Sequence, residues 1–368
     1  MINKIPEKLR IACFVSHHGF GHASRVSAVI EQLSKNFPSF ELLIFGKTPA
    51  WFWGLNIPPN CTYSLIDQIT DIGLVQEGPF AHDLNLTLEQ VLQFIKFSDE
   101  QLSIPLKAIE EFQPDFILSD ISPLGLEVGN RLKISTILLE NFTWDWIYRP
   151  FVKLEKDFAY VISKLETVYS YANSHIQCTP FCERAQGAFK ANPVYRSFSK
   201  DKQNVYSSLN ITPGKEYVLI TTGGISMKHT FFDTSEDIYF VIPGNYQKVH
   251  RQKNQIYIPM HFHVPFSELV FCASAVVGKA GYGTISECWG TGTPFLGVFR
   301  DAFRESAELK KFCLEKLNFR EISLDEFTSG AWTKHLPILI GNKLVPSDGE
   351  NGAYQVSNEI IRFLFSEE

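Results

Sequence analysis

An α/β chain of two doubly wound domains facing each other across a cleft is what this sequence predicts, on three observations. Apolar, β-branched runs alternate with glycine turns and amphipathic stretches along both halves. Two of those turns, SHHGFGHASR after RIACFV and GKAGYGTISE after SAVV, place glycines between a strand and a helix at corresponding points. Residues 191 to 214 are polar, contain two prolines and lack a sustained apolar period, which places a boundary between the halves. The expected division is 1–196, 197–350, and a C-terminal helix in 351–368 packing back toward the first domain.

In the first half, RIACFV (10 to 15) reads as a buried parallel strand, VSAVIEQLSKNF as an amphipathic helix and ELLIFG (41 to 46) as the next strand. TPAWFWGLNIP begins a crossover, and CTYSLID leads into the polar, glycine-containing DIGLVQEGPFAHDLN. LTLEQVLQFIKFSDEQLSIPLKAIEEF keeps a long 3.6-residue period, and PDFILSDISPLGLEVGNRL repeats the strand, loop and helix. STILLENFTWDWIY and SHIQCTPF read as two further strands, separated by a helical stretch around 152 to 172. In the second half, EYVLITTGGIS (216 to 226), DIYFVIPGN (237 to 245), NQIYIPM (254 to 260), SAVVG and TPFLGVFRD read as strands. PFSELVFCAS, SAELKKFCLEKL and GAYQVSNEIIRFLF read as helices. Such alternation calls for parallel sheets covered by helices, whose ligands sit at the carboxyl ends of the strands. With two such domains, the expected site is the cleft between them.

Composition narrows the classes. A chain of 368 residues, 45% hydrophobic and 20% charged, can bury two proper cores. A formal net charge of −6 and a pI near 6.0 argue against a nucleic-acid binder, so any phosphate must be met locally. Seven scattered cysteines, mostly inside apolar stretches, indicate reduced, cytoplasmic usage. Cys178 and Cys182 have the spacing of half a metal site but no companion pair, so buried thiols are expected. No signal peptide and no apolar run of about 18 residues stand out, which points to neither secretion nor a membrane span. Trp51, Phe52 and Trp53 lack an adjacent basic cluster, which favours packing over peripheral membrane contact.

The stretch 276 to 305, VVGKAGYGTISECWGTGTPFLGVFRDAFRE, carries the clearest chemistry. Gly278, Gly281 and Gly283 permit a tight turn and close approach of a ligand to the backbone. Thr284 and Ser286 are expected to cap the helix that follows, whose N-terminal amides and dipole favour an anion. Glu287, one turn on, is placed to accept hydrogen bonds from vicinal sugar hydroxyls. An anion cradle followed by a carboxylate suggests a nucleotide or nucleotide-sugar.

The two glycine loops, one bearing histidines and one reading GYGTISE, resemble the GT-B glycosyltransferase fold of two Rossmann-like domains. The branch indicated contains the muramyl-pathway N-acetylglucosaminyltransferase and the galactolipid synthases. Five ordered stretches, HGFGHASR, DIGLVQEG, SDISPLGLEVG, NFTWDWIY and GYGTISE, are similar to the glycosyltransferase-like N-terminal half of plant-type L-arabinokinases. The resemblance covers essentially the whole chain and does not include that family's kinase half.

The resemblance implies an acceptor-side first domain, a nucleotide-sugar-binding second domain, and an inverting, metal-independent transfer of a sugar. The sugar would be hexosyl or N-acetylhexosaminyl, moving from a nucleoside-diphosphate donor, UDP-linked by expectation, to a hydroxyl on a small molecule, glycan or lipid. His22, after Gly21, stands where inverting members carry their base, and Asp120, ending FILSD, where a carboxylate orients it. His17 and His18 are alternatives for acceptor contact or base work, His18 being carried as a catalytic candidate. Thr222, Gly223 and Gly224 from one loop and Gly281, Tyr282, Gly283 and Thr284 from the other would hold diphosphate. Arg300, Asp301, Arg304 and Glu305 would line the donor-sugar side, a solvated charged loop being the competing reading. Arg25, on the first turn of the helix after the first glycine loop, is read as either near the cleft or merely exposed. No metal and no cofactor beyond the donor is expected. A catalytically silent nucleotide-sugar or partner-binding module, and an epimerase or hydrolase on the same fold, are the alternatives.

Overall fold

The computed structural model describes residues 8–76, 82–221, 238–300, 303–341, 344 and 349–365. Two seven-stranded sheets carry the chain. The first contains β1 (Lys8–Val15), β2 (Ser39–Gly46), β3 (Cys61–Asp67), β6 (Phe116–Asp120), β7 (Thr136–Glu140), β8 (Ser174–Cys178) and β9 (Phe189–Ala191); a separate hairpin pairs β4 (Val75–Gln76) with β5 (His82–Asp83). The second contains β10 (Glu216–Thr221), β11 (Ile238–Gly244), β12 (His250–Gln252), β13 (Gln255–Pro259), β14 (Ala275–Lys279), β15 (Phe295–Val298) and β16 (Phe319–Glu321).

The strand orders are β3-β2-β1-β6-β7-β8-β9 and β12-β13-β11-β10-β14-β15-β16. All neighbours are parallel except β12 and β13. Each sheet reverses its winding once, between β1 and β6 in the first and between β10 and β14 in the second. Those reversals open crevices at the strands' carboxyl ends. Register sets what meets there: Val15 pairs with Asp120, and Thr221 with Gly278. Gly278 is required at the second crevice, because a Cβ there would lie 1.7 Å from the Thr221 carbonyl oxygen.

Apolar side chains from both faces of each sheet are buried, as parallel strands covered by helices demand. Helix Gly352–Phe365 packs its Ala353, Val356 and Ile360 into the core of the first sheet, against helix Gly21–Leu33. Two local readings change. The long periodic stretch is two helices, Leu84–Phe94 and Asp99–Phe112, because Phe97 adopts φ 44° and Ser98 with Gln101 forms a capping box that starts the second. TWDWIY is not strand: after β7 ends at Glu140, Trp144–Tyr148 forms a short helix with every side chain buried. Residues 50 to 56 of the crossover are helical, with Phe52 and Trp53 in the core.

Candidate functional site

Helix Gly21–Leu33 begins directly after the loop that leaves β1, which puts His22 in its first turn beside the end of β6. His22 Nδ1 lies 2.7 Å from Asp120 Oδ1. Asp120 is fully buried and acceptor-only, so Nδ1 is assigned as the protonated nitrogen, which leaves Nε2 as the basic one. Nε2 has no partner among the described residues, and the ring lines the cleft. Burial would push the Asp120 carboxyl up, but the Arg25 and His22 charges hold it below the ordinary range.

Arg25, one turn after His22, makes this more than a dyad. Its Nε donates to Asp120 Oδ2 at 2.7 Å and its Nη2 to Asp120 Oδ1 at 2.8 Å, while Nη1 bonds Asn141 Oδ1. Asn141 is held in turn by the carbonyls of Cys178 and Pro180. A guanidinium fork on a fully buried carboxylate fixes the plane against which the imidazole rests.

His18 makes a second, separate pair: its Nε2 is 3.2 Å from Asp71 Oδ1, and Trp144 Nε1 donates to Asp71 Oδ2 at 2.9 Å. His17 Nδ1 stands 3.6 Å from the same Oδ1. Burial, then the neighbouring His18, pushes the His17 ring down to about 4.

In the second half, β14 ends in Lys279 and helix Tyr282–Thr291 starts after Gly281. The N-cap is Gly281 and no side chain caps the helix, so Thr284 and Ser286 do not act as caps: both already lie inside the first turns. The amides at that end stay available for an anion. Glu287 is buried, and its Oε1 accepts from Arg196 Nε at 2.9 Å and Nη2 at 2.7 Å, which commits one carboxylate oxygen to protein. Arg196 Nη1 reaches Asn56 of the first half at 2.8 Å.

Lys279 is 9% exposed, lines the cleft and makes no hydrogen bond or ion pair among the described residues. Burial, reinforced by Arg300, pushes its ammonium down to about 7. Arg300 donates from Nη2 to Glu305 Oε1 at 2.8 Å, and both line the cleft. Arg304 does not: its guanidinium stacks 3.9 Å from the Trp146 ring centroid and donates to the Trp146 carbonyl, tying the two halves together instead of facing a donor. Tyr282 lines the cleft but its hydroxyl lies 3.0 Å from Cys182 Sγ, a further tie. Thr222, Gly223, Gly224 and Asp301 lie outside the described residues.

The structure thus gathers His22, Gly21, His18, Gly281 to Thr284, Glu287, Arg300 and Glu305 around one cleft, with Asp120 behind His22. Phe20, Trp51 and Phe52 from the first half and Met260, Phe262 and Phe266 from the second give it apolar walls. Trp51 and Phe52 thus line the cleft, and among the described residues no helix is long and apolar enough to cross a membrane. Asn141, Asp71, Arg196 and Lys279 were not singled out by sequence reasoning, and of the two readings left open for Arg25 the structure takes the one near the cleft, burying it on Asp120. Asp71 and Asn141 open two of the five ordered stretches, Arg25 shares a helix face with His22 at i, i+3, and Lys279 is a lone charge closing an apolar strand.

No family model matches the chain. The L-arabinokinase of Arabidopsis thaliana is 23% identical over 374 residues, 95% of this chain and 35% of that protein, so the chain spans about a third of the length of the curated relative it matches. Solved structures align over nearly the whole chain. The calicheamicin glycosyltransferase CalG4 superposes with a TM-score of 0.62 at 12% identity, covering 97% of this chain and 98% of that one. Arabidopsis thaliana UGT89C1, solved with UDP-L-rhamnose, gives 0.61 at 12%, covering 96% and 98%. The spinosyn rhamnosyltransferase SpnG, solved with thymidine diphosphate, gives 0.55 at 12%, covering 97% and 96%. The chain has the GT-B fold of these glycosyltransferases.

Proposed function

We propose that this chain is an inverting glycosyltransferase that moves a hexosyl or N-acetylhexosaminyl group from a nucleoside-diphosphate sugar, uridine-linked, to a hydroxyl acceptor. The observation that carries it is the His22 and Asp120 pair facing an uncapped helix N-terminus across one cleft. His22 Nε2 takes the acceptor proton as its oxygen attacks the anomeric carbon, and Asp120 stabilises the imidazolium that forms. Attack from the first half, with the diphosphate leaving toward the second, inverts the anomeric centre. The departing charge is met by the amides at 282 to 284 and by Lys279 and Arg300, so the diphosphate itself needs no metal. UGT89C1 solved with UDP-L-rhamnose and SpnG with thymidine diphosphate support a nucleoside-diphosphate donor, and UGT89C1 solved with quercetin supports a small hydroxyl acceptor.

Calorimetric titration with UDP, dTDP, GDP and ADP identifies the base. Donor turnover by wild type and His22→Ala, with the product's anomeric configuration read by NMR, tests the chemistry. Retained configuration, or equal turnover by the variant, overturns it. One observation favours a silent nucleotide-sugar-binding module: Arg25 already balances the Asp120 charge, which leaves less of it to stabilise an imidazolium. Tight nucleotide binding with no turnover against a broad acceptor panel would select that reading.

A further inference from the structure

We infer that His17, His18 and Asp71 form a binding site for a divalent transition metal of the zinc class, on the wall where the cleft meets a side cavity. The two histidine-carboxylate pairs of the first half differ in one respect that bears on this. At Asp120 the buried negative charge is met by the Arg25 guanidinium. At Asp71, whose side chain is 1% exposed, no lysine or arginine nitrogen lies within 4.0 Å among the described residues; its neighbours are two imidazoles and an indole. A buried carboxylate that faces imidazoles instead of a fixed cation belongs to the donor set that a dication of the zinc class takes up.

The donor atoms are already placed for one. Asp71 Oδ1 is 3.2 Å from His18 Nε2 and 3.6 Å from His17 Nδ1, and one ligand atom from each of the three residues lies within 4.8 Å of the others. Ligands held about 2.0 to 2.1 Å from a tetrahedral zinc-class ion stand about 3.3 Å apart, so two of the three edges are present. A turn of the partly exposed His17 ring closes the third. His17 Nδ1 is buried and has no hydrogen-bond partner, because 3.6 Å is too long for one.

The surroundings hold the ligands as outer-shell groups do in metal centres. Trp144 Nε1 occupies Asp71 Oδ2, which turns Oδ1 toward the imidazoles, and Tyr148 donates its hydroxyl to the Gly73 carbonyl at 2.6 Å. Gly73, at φ +63°, leaves room for the His18 ring; a Cβ there would stand 2.2 Å from Nε2. Three protein ligands leave the remaining coordination open, toward a cavity lined by Lys47, Ile72 and Gln90 and, past His18, toward the cleft. The site sits on the first half, whereas the amides proposed for diphosphate belong to the second, so metal uptake can be measured apart from donor binding.

The whole 368-residue chain, treated with chelator and titrated with Co²⁺, read by visible ligand-field absorption, and with Zn²⁺ against a chromophoric chelator, tests it. One metal per chain is expected. Affinity should fall at least tenfold in His17→Ala, whose ring is partly exposed and leaves folding intact, and in Asp71→Asn. Trp144→Phe should weaken it roughly tenfold without abolishing it, and His175→Ala, which removes a histidine paired with Glu140 alone, should leave it unchanged. Absence of stoichiometric uptake by wild type, or equal uptake by His17→Ala, overturns the site and leaves His18 and Asp71 as a hydrogen-bonded pair.

Discussion

Gly21 and Gly283, from opposite halves of the chain, touch across the cleft: a Cβ on Gly283 would lie 3.3 Å from Gly21 Cα, whereas one on Gly21 would lie 3.6 Å from Gly283 N. The first turns of helices Gly21–Leu33 and Tyr282–Thr291 therefore converge, with His22 on one and the uncapped amides on the other. The proposed base and the proposed anion cradle are thus brought together by backbone.

That asymmetry, with the tighter contact at Gly278, orders three alanine variants. Gly21→Ala makes an ordinary contact and should leave nucleoside-diphosphate affinity within about twofold. Gly283→Ala must push the loops apart by tenths of an ångström, and should lower kcat about tenfold or more at little cost in Tm, since misplaced reacting groups lose rate steeply. Gly278→Ala should unfold the second sheet at the β10 to β14 pairing. Calorimetry and thermal melts separate these, and a Gly21 variant more damaging than Gly283→Ala would refute the ordering.

Removal of the His22 imidazole should cost about 10²- to 10⁴-fold in kcat, the usual contribution of a general base. Arg25→Met leaves Asp120 buried beside a single imidazole and should destabilise the fold by roughly 3–5 kcal/mol. Adding Asp120→Asn removes the stranded charge, so the double variant should be more stable than the sum of the singles implies. Additive losses in denaturant melts would mean that the guanidinium and carboxylate do not act as a unit.

Lys279 predicts a pH signature. Its ammonium titrates near 10.5 in the unfolded chain and about 7 in the folded one, because folding buries it beside Arg300. The cost to stability is absent above about pH 10.5, grows as pH falls and is complete below about 7. Lys279→Met should therefore raise Tm, on the order of 5 °C at pH 7 with the gain fading toward pH 10.5. Bound diphosphate restores the charge, so binding at pH 8 should take up roughly 0.9 proton in wild type and far less in the variant. Buffer-dependent calorimetry measures this directly; equal proton uptake by both would remove Lys279 from the anion site.

The strand, loop and helix pattern made both crevices legible, because β-branched runs and glycines report the backbone directly. His22 and Asp120 could be placed together because each follows a strand end, and parallel register does the rest. Arg25 stayed open between cleft and solvent, because a charge in a first helical turn has no assigned face until the core tells which side is inward. Arg196 sits in the polar linker that marked the boundary, where no periodicity assigns a direction. The 86 to 112 stretch deceived for a related reason, since apolar spacing continues through Phe97 although its backbone does not. Arg304 was misplaced because a cation near a cleft can equally satisfy an aromatic ring, and Trp146 was available.

Glu287 poses the last test, because two roles compete for one carboxylate. Arg196 takes Oε1 with two donors and reaches Asn56 with a third nitrogen, so the three side chains bind the linker to both halves. A purely structural Glu287 would make Glu287→Ala destabilising and equally harmful to every nucleotide. A ribose-binding Glu287 uses Oε2 as well, and a charge-assisted bond to a hydroxyl contributes about 1.5–3 kcal/mol. Wild type should then prefer UDP over 2′-deoxy-UDP by roughly tenfold or more. In Glu287→Gln, which keeps the shape but not the charge, the preference should shrink to near unity while Tm changes less than in Glu287→Ala. If the variant keeps the full preference, the ribose is read elsewhere and Glu287 serves only to tie the halves.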